Sequence, residues 1–193
     1  MKSRINKCIK NSIENYTRIF NDKILEENIQ EIVIKSIAAF KDDKKMLLCG
    51  NGGSASDAQH IAAELSGRFY NDRPPLYAEA LHVNSSYMTA VANDYSYADT
   101  YARMVEAAGR KGDILVGIST SGNSSNVVKA IKKANDIGML TIGFVGKDGG
   151  KINELCDIII SIPSDDTPRI QEAHILVGHI VCQLIEEGMF PDV

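Results

Sequence analysis

Hydroxyl side chains are concentrated between a short apolar run and a helical pattern. Four of them follow the apolar run 113–118 within six residues: Ser119, Thr120, Ser121 and Ser124. A strand that turns into a helix through such a loop presents free backbone N–H groups and the positive end of the helix dipole, and both attract an anion. An ordinary N-cap needs only one of these hydroxyls. We therefore predict that this loop binds a phosphate group.

A glycine-rich loop of the same kind follows the apolar run 46–49. It reads Gly-Asn-Gly-Gly-Ser-Ala-Ser over residues 50–56, and a helical pattern comes next. Gly52 and Gly53 allow the backbone to approach a ligand closely, and a serine of the loop can cap the helix. The glycine spacing matches neither the dinucleotide fingerprint nor the P-loop. Two such loops in one small domain predict a ligand that is held from both ends.

An imidazole and a carboxylate lie on adjacent turns of the helix predicted after the glycine-rich loop. His60 and Glu64 are four residues apart and project from one face, where they could bind a metal or supply an acid and a base. Such a pair is also common on ordinary surfaces. On the last helical segment, Gln171 and His174 share a face, and His179 lies about 80° from Gln171 around the axis. Spacing alone does not choose between these two histidines, and a lone His on an apolar helix is more often a core residue.

The composition is that of an ordinary globular protein. The 193 residues are 44% hydrophobic and 24% charged, with a formal net charge of -4. Because lysines and arginines are scattered, we expect no nucleic-acid partner. No stretch resembles a membrane span and the polar start is unlike a signal peptide, so we expect a cytoplasmic protein without a membrane partner. The four cysteines are isolated and are expected to be core thiols.

Helical and strand patterns alternate along the chain after an N-terminal helical segment. Residues 1–43 predict one long helix or two, with an apolar stripe at helical spacing. Strands are predicted over residues 46–49, 76–81, 113–118, 139–145 and 157–162, and helices over 55–68, 85–93, 97–110, 124–137, 151–155 and 167–188. Strands separated by helices predict a parallel sheet covered on both faces. The loops with the candidate residues should then meet at the carboxyl edge of the sheet.

The chain is expected to form a single domain over residues 1–193, because its length suits one hydrophobic core and no linker is apparent. The apolar stripe within residues 1–43 needs a partner. Either this segment folds across the domain or it packs on other subunits. We favour a homo-oligomer in which the N-terminal helices are shared.

Five stretches of the chain match the signature motifs of one known family, in its order and at its spacing. They are residues 47–65 (Leu-Leu-Cys-Gly-Asn-Gly-Gly-Ser-Ala-Ser-Asp-Ala-Gln-His-Ile-Ala-Ala-Glu-Leu), 92–94 (Ala-Asn-Asp), 117–124 (Gly-Ile-Ser-Thr-Ser-Gly-Asn-Ser), 146–150 (Gly-Lys-Asp-Gly-Gly) and 169–174 (Arg-Ile-Gln-Glu-Ala-His). The chain thereby resembles the bacterial sedoheptulose 7-phosphate, or phosphoheptose, isomerases over about residues 1–190. The resemblance implies the α/β sugar-isomerase (SIS) fold, a three-layer sandwich whose five-stranded parallel sheet is flanked by helices. It also implies a homotetramer.

The resemblance also assigns roles to individual positions. The family's metal ligands, usually for one zinc ion per subunit, match His60, Glu64, Gln171 and His179, which favours His179 over His174. Its phosphate loop matches Ser119, Thr120, Ser121 and Ser124. Its sugar contacts match Asn51, Gly52, Gly53, Asn93, Asp94 and Gln171. One region departs from the pattern: Asn84 stands where relatives often have Asp, and His82 is not expected, which could alter a sugar contact or a subunit contact.

The implied reaction converts sedoheptulose 7-phosphate to D-glycero-D-manno-heptose 7-phosphate through a cis-enediol. It begins the synthesis of nucleotide-activated heptose for surface polysaccharide. Proton transfer between C1 and C2 needs a base, an acid and a cation, for which we expect Glu64, His179 and zinc. The alternative is a non-catalytic relative of the same fold that binds the replication initiator. Such a scaffold would be expected to lose the metal ligands, which match here at all four positions.

Overall fold

The computed structural model describes residues 1–193, with two N-terminal helices followed by alternating strands and helices. The helices are α1 (Lys2–Phe20), α2 (Lys23–Lys41), α3 (Gly53–Ser66), α4 (Ser85–Asp94), α5 (Thr100–Ala108), α6 (Ser125–Ile137) and α7 (Thr167–Met189). The strands are β1 (Met46–Gly50), β2 (Ala78–Ala80), β3 (Ile114–Ser119), β4 (Leu140–Val145) and β5 (Ile158–Ser161). None of the helices combines the length and the apolar character that a membrane crossing requires.

The sheet is entirely parallel, with the strand order β2-β1-β3-β4-β5. Every residue of β1 and β3 is buried, as expected for strands covered on both faces. One hydrophobic cluster packs α2, α3 and α7 against one face, and a second packs α5 and α6 against the other. The predicted α/β three-layer sandwich with five parallel strands is confirmed.

Side-chain caps explain where two of the helices begin. The Asp22 carboxylate accepts a hydrogen bond from the Leu25 N–H at 3.0 Å and starts α2. Asn84 Oδ1 accepts from the Tyr87 N–H at 3.0 Å and starts α4 in the same way. Asn and Asp are about equally good N-caps, so Asn84 fills the structural role that an Asp would fill. His82 has a buried Nδ1 without a hydrogen-bond partner, and burial lowers the pKa of its imidazole.

Helix α1 places two polar side chains against the domain and leaves most of its apolar residues exposed. Ser12 Oγ donates to the Glu172 carboxylate of α7 at 3.0 Å, and Asn15 Nδ2 donates to the Arg169 carbonyl at 3.2 Å. The outward stripe has exposed fractions of 51% at Ile5, 55% at Ile9, 59% at Ile13 and 84% at Phe20. This pattern is the reverse of an ordinary surface helix, so α1 leaves an apolar face uncovered.

The cysteines differ from one another in their environment. Cys49 and Cys182 are buried, Cys156 is half-buried and Cys8 is exposed on α1. The expectation of core thiols is therefore wrong for Cys8, because α1 presents that side of its surface to solvent.

Candidate active site and metal centre

Three loops meet at the carboxyl edge of the sheet, as predicted. They follow the neighbouring strands β1, β3 and β4 and cover residues 51–52, 120–124 and 146–149. Parallel strands end at a common edge, so this arrangement places the glycine-rich loop beside the loop of hydroxyls. The candidate residues of both loops therefore lie on one side of the molecule.

The loop of hydroxyls has the features of an anion site. Ser119 Oγ and Ser124 Oγ are 2.9 Å apart, and Ser124 starts α6 without making a side-chain cap. The backbone N–H groups of Ser124, Ser125 and Asn126 make no hydrogen bond within the chain. Free N–H groups at the positive end of a 13-residue helix favour a negative charge. Thr120 and Ser121 also line a cavity of about 270 Å³, whose charged lining residues are Lys147, Asp148 and Asp165.

The loop after β4 and the turn that follows it are hydrogen-bonded to the loop of hydroxyls. The Gly146 N–H donates to the Thr120 carbonyl at 3.0 Å, and the Ile152 N–H donates to the Gly122 carbonyl at 3.1 Å. Gly122 has a φ of +64°, and its α-carbon faces the backbone of Gly149 at close range. The two loops therefore touch backbone to backbone, and a side chain at Gly122 would separate them.

Two asparagine amides join the glycine-rich loop to helix α6. Asn51 Nδ2 donates to Asn126 Oδ1 at 2.9 Å, and Asn126 Nδ2 donates back to Asn51 Oδ1 at 2.8 Å. The Tyr97 hydroxyl also donates to Asn51 Oδ1, at 2.9 Å. Sequence reasoning missed Asn126 and Tyr97, because partners 75 and 46 residues away from Asn51 leave no local pattern.

The other predicted sugar contacts lie at the end of α4, at the start of α3 and on α7. Asn93 and Asp94 end α4, and their side chains bond to each other, Nδ2 to Oδ1, at 2.9 Å. Gly52, with a φ of +57°, and Gly53 begin α3. A Cβ added at Gly53 would lie 2.6 Å from Gln171 Nε2, so the Gln171 amide packs directly against the start of α3. Gln171 is thus adjacent to the glycine-rich loop.

Three donor groups converge between α3 and α7. His60 Nε2 lies 3.1 Å from Glu64 Oε1 and 3.4 Å from His179 Nε2. All three donor atoms are within 4.8 Å of one another, and the two rings meet edge to face. Two imidazole nitrogens and one carboxylate oxygen form the donor set of a three-residue catalytic zinc site. The donors therefore fit a zinc ion.

The structure separates the two histidines of α7. His174 is fully buried and its Nε2 lies 3.1 Å from the Val145 carbonyl, whereas His179 is the histidine that reaches His60. Burial lowers the pKa of His174 to about 4, and the hydrogen bond to Val145 opposes that shift. Gln171 lies eight residues before His179, about 12 Å along the helix. Its amide packs against Gly53 of the glycine-rich loop, and its role as fourth ligand stays a prediction.

Asp57 is a further polar residue on the same face of α3, one turn before His60. Its Oδ2 is buried without a hydrogen-bond partner in the chain. Burial raises the pKa of this carboxyl to about 6, and the neighbouring His60 opposes the shift. The Asp-to-His spacing of three residues could have identified it from the sequence.

Comparison with known proteins gives a consistent result. Residues 10–146 match the family model described as the SIS domain. A phosphoheptose isomerase from Clostridium acetobutylicum is 55% identical over 190 residues, which cover 98% of this chain and 97% of the relative. The solved phosphoheptose isomerase from Neisseria gonorrhoeae superposes with a TM-score of 0.90 at 41% identity, covering 96% of this chain and 98% of the other. The solved phosphoheptose isomerase from Francisella tularensis superposes with a TM-score of 0.92 at 34% identity, covering 96% of this chain and 97% of the other. This protein therefore belongs to the SIS-domain family and, within it, to the phosphoheptose isomerases.

Proposed function

We propose that this protein interconverts sedoheptulose 7-phosphate and D-glycero-D-manno-heptose 7-phosphate through a cis-enediol, in the cytoplasm. The product would enter nucleotide-activated heptose synthesis for surface polysaccharide. The observation that carries the proposal is the convergence of His60, Glu64 and His179, in a chain that also has an anion-type loop before α6 and is 55% identical to a phosphoheptose isomerase. Nothing in the structure favours the scaffold alternative, because a scaffold has no need for these donors.

The phosphate group would anchor the substrate at one end. Ser119, Thr120, Ser121 and Ser124, with the free N–H groups at the start of α6, supply donors for its oxygens. Asn51, Gly52, Gly53 and Gln171 would contact the sugar, with Asn93 and Asp94 as further predicted contacts. Binding a non-reacting phosphate in this way fixes the position of the reacting carbons, which is a large part of catalysis for a flexible sugar.

The reacting carbons would then lie at the converging donors. His60, Glu64 and His179 would hold one zinc ion, with Gln171 as the predicted fourth ligand. When bound, zinc supplies a Lewis acid that stabilises negative charge on the sugar oxygens. The first test is activity on sedoheptulose 7-phosphate with and without chelator, together with metal analysis. We expect chelator to abolish turnover and zinc to restore it; protein that binds the sugar phosphate but does not convert it even after zinc is added would contradict the proposal.

Proton transfer between C1 and C2 would use Glu64 as the base and His179 as the acid. Glu64 Oε1 faces His60, and Oε2 makes no hydrogen bond within the chain, so the second oxygen is free to accept a proton. The Glu64 side chain is 25% exposed, which gives a substrate access to it. Ligand and base roles compete, since a cation on a carboxylate lowers its basicity, so the free oxygen is central to this assignment.

The proposal includes a homotetramer in which α1 covers other subunits. Its support is the outward apolar stripe that contains Ile9 and Ile13, because a protein surface rarely leaves such a stripe uncovered. Replacing both residues with Glu should give smaller particles in light scattering. Lys10→Glu, on the same exposed helix but outside the stripe, is the control and should keep the wild-type mass. A monomeric wild-type protein would refute the oligomer.

A further inference from the structure

A buried ion pair lies beside the converging donors without belonging to them. Arg73 Nε donates to Glu186 Oε2 at 2.9 Å, and the two side chains are 0% and 2% exposed. Arg73 belongs to the irregular segment that joins α3 to β2. Glu186 lies on α7 seven residues after His179, about two helical turns along the same face.

The Glu186 carboxylate organises the segment that leaves α3. It accepts hydrogen bonds from the backbone N–H groups of Phe69 at 3.0 Å, Tyr70 at 2.8 Å and Asn71 at 2.9 Å. Burial raises the pKa of Glu186, but these bonds and Arg73 together hold it below its ordinary value. The carboxylate is therefore ionised at neutral pH, and it fixes the path of three consecutive residues.

The Arg73 guanidinium also binds the end of α3. Nη2 donates to the Glu64 carbonyl at 2.8 Å, and Nη1 donates to the Leu65 carbonyl at 2.7 Å. The last carbonyls of a helix have no partner within the helix, so a guanidinium here holds that turn in place. The turn it holds is the one that carries the Glu64 side chain.

The same segment also places an aromatic ring beside His179. The Phe69 ring, whose backbone is bound by Glu186, lies 5.8 Å from the His179 ring between centroids. The Arg73–Glu186 pair thus connects the turn of Glu64, the helix of His179 and an aromatic ring beside His179. A displacement of the pair would move two of the three donors relative to each other.

Stability alone is a weak reason for such a pair, because removing two charges from water offsets most of their attraction. We propose that Arg73 and Glu186 are positioning residues that hold Glu64 and His179 at the separation a bound cation requires. This inference rests on the proposed function, because it assumes that the three donors form a metal site. It assigns to the pair a role in metal affinity that neither residue has through direct contact with the ion.

Zinc affinity of the intact protein, measured by competition with a chromogenic chelator, tests this role. Glu186→Gln should raise the zinc Kd about 10–100-fold, the usual effect of losing a partner behind a metal ligand. Arg73→Lys keeps the charge but cannot reach both Glu186 and the α3 carbonyls, so it should also raise the Kd. The matched control is Lys45→Met, which breaks the part-buried Lys45–Asp113 pair at the amino edge of the sheet. It should lower the melting temperature and leave the zinc Kd unchanged.

The outcomes separate this inference from the proposed function. Wild-type affinity in folded Glu186→Gln and Arg73→Lys would overturn it, and so would an equal loss in Lys45→Met, which would indicate a general effect of stability. If the wild-type protein binds no zinc, the proposed metal site is wrong. In that case the imidazole NMR signals of metal-free protein decide the positioning role: a His179 shift in Glu186→Gln but not in Lys45→Met supports it, and identical spectra overturn it.

Discussion

Replacing Gly122 with alanine would test how closely the loop of hydroxyls and the loop after β4 approach one another. Gly122 has a φ of +64°, a conformation that L side chains rarely adopt. An added Cβ would overlap the Gly149 carbonyl oxygen and lie 2.9 Å from the Gly150 nitrogen. Both are backbone atoms, which cannot rotate away as the end of a side chain can. The two loops must therefore separate, or the fold must bear the strain.

The magnitude follows from two contributions. A left-handed conformation costs an alanine about 1–2 kcal/mol, and crowding against fixed atoms adds about 1–3 kcal/mol. We expect Gly122→Ala to lose about 2–5 kcal/mol of the free energy of unfolding. Gly138→Ala is the matched control, because Gly138 also has a positive φ, +84°, but an added Cβ there would lie 3.4 Å from the flexible Lys111 Cγ. It should lose only the conformational part, about 1–2 kcal/mol.

Thermal unfolding at equal protomer concentration measures the difference. About 2–4 °C of melting temperature corresponds to 1 kcal/mol at this size, so Gly122→Ala should melt about 2–12 °C below Gly138→Ala. Separation of the loops should also weaken binding of the sugar phosphate about 10–100-fold in calorimetry, the loss expected for one hydrogen bond to a charged group. Gly138→Ala should bind as the wild type does. Equal melting temperatures and equal phosphate affinities would refute the reasoning.

Three further predictions concern other parts of the molecule. Glu64→Gln in zinc-saturated protein should lower kcat about 10²–10⁴-fold with little change in KM, because an amide cannot accept the proton; full activity would exclude Glu64 as the base. Asn126→Ala removes the partner that holds the Asn51 amide in position. The KM for sedoheptulose 7-phosphate should therefore rise about fivefold, the effect of one lost neutral hydrogen bond. An unchanged KM would show that Asn51 needs no such support. The pKa of His174 falls from 6.5 to about 4 on folding, so the unfolded chain takes up the proton first. The preference of the folded state for neutral His174 contributes about 3 kcal/mol to the free energy of unfolding. This contribution is present above pH 6.5 and is lost as the pH falls to 4. In urea unfolding of the metal-free protein, His174→Gln should lack this decrease in the free energy of unfolding between pH 6.5 and 4. An identical pH dependence in variant and wild type would argue against the role of His174.

The sheet was predictable because its strands are buried on both faces and appear as continuous apolar runs. The boundaries were less certain. The predicted strand 76–81 is only Ala78–Ala80, because its pairing with β1 begins at Met46 and ends at Leu48, although β1 continues to Gly50. The predicted helix 97–110 is divided, because the Thr100 hydroxyl bonds the Tyr97 carbonyl at 2.9 Å and closes a tight turn before α5 begins. Propensity alone does not indicate such a local hydrogen bond.

The candidate site was predictable where its residues are neighbours in sequence. The His60–Glu64 spacing places both side chains on one face of a helix, and the run of hydroxyls identifies one loop. The choice of His179 over His174 depends on which side of α7 packs against the sheet, so helical spacing could not make it. Likewise, the Arg73–Glu186 partners are 113 residues apart, and such a separation is visible only after folding.

The order in which the chain is synthesised has a consequence for the proposed metal site. His60 and Glu64 lie on α3, but His179 follows His60 by 119 residues and lies on the last helix. A growing chain therefore offers only a two-donor pair on one helix until α7 has been made and has docked. Uptake of the proposed metal would then belong to the final stage of maturation, after the sheet is complete. A chain interrupted before α7 lacks the third donor and also Glu186, so an incomplete product would not form the proposed zinc site.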